Sequence, residues 1–219
     1  MQLPFTEAQF LDLFAAYNTA IWPVQLVMYL LGAVAVAGLF KNTYLMSRGI
    51  VFILAFMWMW TGVVYHLGFF SRINSAAVLF GALFFFQGLV FLMNGISKKR
   101  LNFQATLTMY DIVGGLFIIY AGILYPILGI FSGHGWPRAP IFGVTPCPVV
   151  VFTFGVLLFL KARISPTVIL IPFLWSLIGA TAVVRLGMYE DFGLLIAGVF
   201  GSAMIVMRNR RLKEKAAAV

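Results

Sequence analysis

Of 219 residues, 63% are hydrophobic and 10% charged, whereas a soluble globular chain carries about 25% charged residues; a water-soluble domain is excluded, and a bilayer must bury what a core would otherwise bury. The net charge of +9 does not point to nucleic acid, because the basic residues gather in short segments between apolar blocks and near the C-terminal end, where membrane topology accounts for them. One cysteine, Cys147, and two histidines, His66 and His134, exclude an intramolecular disulfide and a Cys/His zinc cluster of the usual kind.

Residues 1–18 set Phe5, Phe10, Leu11, Leu13, Phe14 and Tyr17 beside Glu7, Gln9 and Asp12. Thr6 and Gln9 have the spacing of a capping box, and the segment is expected to be a short amphipathic helix on the membrane surface. No basic stretch precedes the first apolar block and no small-residue cleavage site follows it, so no removable signal peptide is expected. Apolar blocks then run at 20–40, 49–70, 75–96, 108–131, 141–160, 166–186 and 191–207. Blocks of about 20 residues suit helices crossing about 30 Å of hydrocarbon. They lack the alternation of barrel strands.

The expected fold is therefore an all-α membrane protein, a seven-transmembrane helix bundle in a single domain over residues 1–219, with a basic tail at 208–219. Lys41, Arg48, Lys98, Lys99, Arg100, Lys161, Arg163, Arg208, Arg210, Arg211, Lys213 and Lys215 fall on one side of such a bundle, and only Arg72, Arg138 and Arg185 on the other. By the positive-inside rule the C-terminus is cytoplasmic and the N-terminus outside. The fifth span is the weakest. Its outer part contains Pro146, Cys147 and Pro148 and its continuous apolar run covers only Val149 to Leu160, so it either enters the membrane as a bent turn or packs inside protein, and interrupted spans can mark binding sites.

The second span ends near His66-Leu67-Gly68 and the third contains Phe80-Gly81; the sixth ends near Arg185-Leu186-Gly187 and the seventh contains Phe200-Gly201. This matching suggests a 3+1+3 parallel repeat, although chance matches of Val, Leu, Gly and Phe arise easily in such sequences. With Trp60 and Trp175, the plan resembles the topology of the SWEET sugar transporters and PQ-loop proteins, without their proline-glutamine signature. Closer at hand, Tyr65-His66-Leu67-Gly68-Phe69-Phe70-Ser71-Arg72-Ile73-Asn74 and Phe142-Gly143-Val144-Thr145-Pro146-Cys147-Pro148 resemble a bacterial family of multi-pass membrane proteins of unknown function over most of the chain. That resemblance implies a bacterial cytoplasmic (inner) membrane and carries no activity.

Charged residues near membrane depth are costly and therefore informative, yet most here have structural readings. Asp111 three residues after Thr108 makes a capping box. Glu190 and Asp191 open the last helix, while Lys161 and Arg185 close helices, all with signs that suit the helix dipole. His66, with an imidazole that titrates near neutrality, is either an interfacial histidine or a functional one. The outer side also collects Arg72, Asn74, His134, Cys147, Arg185, Glu190 and Asp191. A substrate pocket is expected there, built from Trp60, Tyr65, His66, Arg72, Asn74, Cys147, Trp175, Arg185, Glu190 and Asp191. His66, His134 and Cys147 are the available soft-metal ligands, but they lie on three separate segments, and neither metal nor cofactor is expected.

The last span has no lysine for a retinal Schiff base, only His66 could ligate an intramembrane haem, and a Gly-x-Ser-x-Gly elbow is missing. These features argue against an enzyme. The leading expectation is a transporter or solute-binding membrane protein for a small molecule or ion. The alternatives are a metal-dependent or acid/base membrane enzyme using His66, His134 and Cys147, and a structural subunit whose Gly-rich helices pack against another copy or a membrane partner.

Overall fold

The computed structural model describes residues 4–41, 43–97 and 102–217; Lys98, Lys99 and Arg100 of the basic segments lie outside the described residues. The described chain folds into helices: α1 (Glu7–Ala20), α2 (Val24–Leu39), α3 (Tyr44–Arg72), α4 (Ala77–Ser97), α5 (Met109–Phe131), α6 (Pro146–Leu157), α7 (Pro166–Leu186) and α8 (Tyr189–Ala217). Five of them, α3, α4, α5, α7 and α8, are long and apolar enough to cross a membrane, and α1 with α2 makes a sixth if that pair is one span bent by 84°. α6 is apolar but has only 12 residues.

Two details add to the sequence reading. α1 does begin with the Thr6–Gln9 capping box, but Leu13, Phe14 and Tyr17 are buried against the bundle, so its apolar face is covered by protein. The basic residues from 208 onward continue helix α8 to Ala217, because Arg208, Arg210, Arg211, Lys213 and Lys215 are good helix formers with no Gly or Pro among them.

Contacts between remote segments sort the bundle into two ends. At the first, the Ala105 amide donates to the Leu39 carbonyl (2.9 Å), the Phe103 amide to Ser47 Oγ (3.1 Å) and the Lys161 amide to the Asn102 carbonyl (2.8 Å). Asn209 bonds both the amide and the carbonyl of Ile164 there (3.0 and 2.7 Å). We call this the basic end. At the other end, Asn18 Nδ2 donates to the Pro137 and Ala139 carbonyls (2.7 and 2.8 Å), Tyr17 Oη to the Val144 carbonyl (2.7 Å) and Tyr120 Oη to the Glu190 carbonyl (2.7 Å).

α6 is the centre of the packing. Pro146 and every residue from Pro148 to Leu157 are buried, with only Cys147 partly open, which settles the weak fifth block as a helix enclosed by protein. Its close neighbour is α5: a Cβ on Gly155 would stand 2.9 Å from the Gly114 carbonyl oxygen, and one on Gly114 would stand 2.7 Å from the Gly155 oxygen. Only hydrogen at both Cα positions allows this backbone approach. A buried helix end must have its last carbonyls satisfied. Here Arg208 does so, donating to the carbonyls of Leu157 (3.2 Å) and Leu158 (2.8 Å) with its guanidinium at the negative end of the dipole. Midway, Trp58 Nε1 donates to Thr153 Oγ1 (2.9 Å).

The stretches that pointed to a repeat are locally unlike. Leu67 and Gly68 lie within π-helical turns of α3, whereas Leu186 ends α7 and Gly187 takes a left-handed φ of 63° that breaks the chain direction before α8.

Candidate functional site

At the end opposite the basic one, α3 departs from α-helical geometry. Residues Thr61–Phe69 form π-helical turns, a form that is rare and recurs at functional sites. Gly62 permits them to sit against α4, since a Cβ there would stand 2.8 Å from the Gly81 carbonyl oxygen. Successive residues Tyr65 and His66 are both buried. Together they face a cavity of about 150 Å³.

The walls are mainly aromatic. Phe5, Phe10 and Phe14 come from the N-terminal region and α1, with Phe5 5.6 Å from Phe70 and Phe14 5.8 Å from Tyr65 between ring centres. Phe80 and Trp175 line the opposite side, packed edge to face at 5.2 Å. Small residues of α7, among them Gly179 and Ala182, leave the space open, and Pro146 and Cys147 at the start of α6 close its floor.

Polar groups converge on this apolar space. The His66 ring is 0% exposed and lies among Phe84 (4.8 Å), Trp175 (5.1 Å) and Phe80 (5.9 Å), and neither of its nitrogens makes a hydrogen bond. Trp175 Nε1 finds only the sulfur of Cys147, a poor acceptor, beside Gly179. Asp191, also lining the cavity, accepts a hydrogen bond from the buried Tyr125 hydroxyl. Its side chain makes no capping bond to its own helix, so the expected capping role belongs to the chain position and not to the carboxylate. Beside it, Glu190 is 0% exposed, with neither carboxylate oxygen hydrogen-bonded and His134 Nδ1 3.5 Å away.

Of the ten residues expected to form the pocket, Tyr65, His66, Asn74, Cys147, Trp175 and Asp191 line it. The other four stand apart. Trp60 Nε1 donates to Tyr17 Oη (3.0 Å). Arg72 is exposed, donates to the Gly68 carbonyl (2.9 Å) and stacks over Phe69 at 4.5 Å. Arg185 is exposed, and Glu190 turns toward His134. The three soft-metal candidates separate likewise, with His66 and Cys147 at the cavity and His134 at Glu190. Among the described residues no group of three or more His, Cys, Asp or Glu side chains is placed to hold a metal ion.

Sequence reasoning missed the contribution of α1. Phe10 and Phe14 have the i, i+4 spacing of a face, but nothing local says that this face meets Phe70 and Tyr65, which are more than fifty residues away. It also missed Tyr125 as the partner of Asp191.

An all-helical bundle with five or six helices apolar enough for a membrane, and an aromatic cavity holding unpaired polar side chains, is the class of protein that these features define. Within that class, the chain belongs to DUF6064, a family of unknown function, whose profile matches residues 7–216. No curated protein and no solved structure matches it.

Proposed function

We propose that this is a multi-pass protein of the bacterial cytoplasmic membrane that binds a small molecule in the aromatic cavity and carries it across the bilayer. In this reading α2 to α8 are seven crossings, the basic end faces the cytoplasm, the cavity opens near the outer face, and α1 lies along that face. Charge supports the orientation, since Lys161, Arg163, Arg208 and Arg210 gather at one end while Arg72, Arg138 and Arg185 lie at the other.

The observation that carries the binding reading is His66, fully enclosed at the cavity with no hydrogen bond from either nitrogen. Leaving a buried polar group unsatisfied costs about 1–3 kcal/mol, and a protein that keeps one beside an open cavity has a use for it there. The largely apolar walls favour a small molecule over a bare ion, which needs several oxygen ligands. The short, enclosed α6 beneath the cavity favours carriage over simple capture, because transporters place their substrates at interrupted helices.

The test takes the purified protein in lipid nanodiscs and in proteoliposomes, with a panel of neutral, anionic and cationic compounds of about ten heavy atoms or fewer. Ala182→Phe, which fills the cavity, is the blank. At least one class of compound is expected to raise the melting temperature of the wild type and not of the blank, and to cross proteoliposome membranes faster with the wild type. Binding without flux would remove the carrier reading, and a panel that never distinguishes the two proteins would remove the site.

A further inference from the structure

Resting on the binding reading above, the chemical class of the ligand can be narrowed. We infer that the cavity takes a neutral, ring-sized molecule with one hydroxyl group, such as a phenol, whose oxygen accepts from Trp175 Nε1 and donates to the imidazole of His66.

Size sets the first limit. About 150 Å³ is the volume in which an apolar cavity admits a benzene ring. Shape sets the second, since Phe10, Phe14, Phe70 and Phe80 present aromatic rings to the space, and aromatic walls hold a flat ring by stacked and edge-to-face contact.

The two orphan groups determine the polar part. Trp175 Nε1 is a donor and nothing else, and the only acceptor beside it is the weak thiol sulfur of Cys147, which a ligand oxygen would replace. A neutral imidazole offers one donor and one acceptor, and neither ring nitrogen of His66 has a partner in the protein. The rings stand 5.1 Å apart between centres, edge to face, so one ring-sized molecule can reach both. A hydroxyl engages both residues, because it accepts from the indole and donates to the unprotonated imidazole nitrogen at once, leaving only the imidazole N–H without a partner. An ether or a halide would leave the imidazole acceptor empty. A carboxylate would need a cation at the cavity, and Arg72 and Arg185 are both exposed and do not line it. Among the described residues the only carboxyl that lines it, Asp191, already accepts from the Tyr125 hydroxyl and offers a carboxylate ligand no positive charge.

The experiment uses the full-length protein in nanodiscs with three fluorinated probes, 4-fluorophenol, fluorobenzene and 4-fluorobenzoate, followed by ¹⁹F NMR, with Ala182→Phe as the blank. 4-Fluorophenol is expected to show a bound signal in the wild type and none in the blank, with an affinity at least tenfold above that of fluorobenzene. Trp175→Phe and His66→Phe, which keep a ring and remove the hydrogen bonds, should each weaken fluorophenol about tenfold and leave fluorobenzene unchanged. Equal affinities for fluorophenol and fluorobenzene, or tighter binding of fluorobenzoate, would overturn the ligand class while leaving the cavity as a binding site. No bound signal from any probe, with the broader panel succeeding, would also overturn the class alone; failure of both would overturn the site.

Discussion

The two ends of the bundle treat their polar side chains in opposite ways. At the basic end the charged groups are engaged, with Nε of Arg48 and Arg208 and Oδ1 of Asn102 the atoms left without a partner among the described residues. Asp111 caps α5 through Thr108 and takes Lys161 Nζ at 2.6 Å, Arg208 covers the last carbonyls of α6, and Asn209 grips the Ile164 backbone. At the cavity end His66 is fully enclosed and makes no side-chain hydrogen bond, and Glu190, equally enclosed, has only His134 Nδ1 at 3.5 Å for a partner. Polar groups buried with partners stabilise a fold or cost it little, and those buried without partners cost stability that only another purpose explains. The difference teaches where to look for structure and where for activity: substitutions at the basic end and in the packing around α6 should act on folding, and those at the cavity should act on ligand.

Three substitutions press on that contrast from the structural side. Gly155→Leu should have the largest effect, because a side chain there meets the Gly114 carbonyl at 2.9 Å; a loss on the order of 3 kcal/mol or more is expected from overpacking, seen as loss of monodisperse protein after extraction in mild detergent. Arg208→Met keeps the stem but strips donors from the Leu157 and Leu158 carbonyls, and should cost about 2–4 kcal/mol. A melting temperature equal to that of the wild type would break the contrast. Asp111→Asn should be mildest, near 1 kcal/mol, since it weakens one cap and removes the pair with Lys161. Its effect should shrink as salt is raised, which a melting series in sodium chloride would reveal.

Much of this plan was legible in sequence. Each of the seven apolar blocks contains a helix, five of them long and apolar enough to cross a membrane and a sixth if α1 and α2 form one bent span, and the capping boxes at Thr6 and Thr108 are both formed, because blocks and caps are local patterns. The weak fifth block was readable as interrupted, either as a bent turn or as a helix packed inside protein, and sequence could not choose between the two, since an apolar run facing protein and one facing lipid share a composition. Six of ten site residues line the cavity. The four failures have a common cause: Trp60, Arg72, Arg185 and Glu190 were placed by depth alone, and depth does not say which way a side chain turns around its helix. The π-helical turns that put Tyr65 and His66 on the inner side leave no signal in the pattern Thr61–Phe69. Nor could the sequence pair Lys161 with Asp111, fifty residues apart, although both were recognised as helix-end charges.

The contrast is tested most directly at His66. In His66→Phe the unpaired imidazole is replaced by a ring that suits its aromatic neighbours, and the melting temperature in nanodiscs is measured with and without 4-fluorophenol. An unliganded stability within about 0.5 kcal/mol of the wild type or above it, together with loss of the ligand-induced rise, is the predicted result. A fall in unliganded stability as large as that of Arg208→Met, with the ligand response kept, would show that the imidazole serves the fold and would contradict the account.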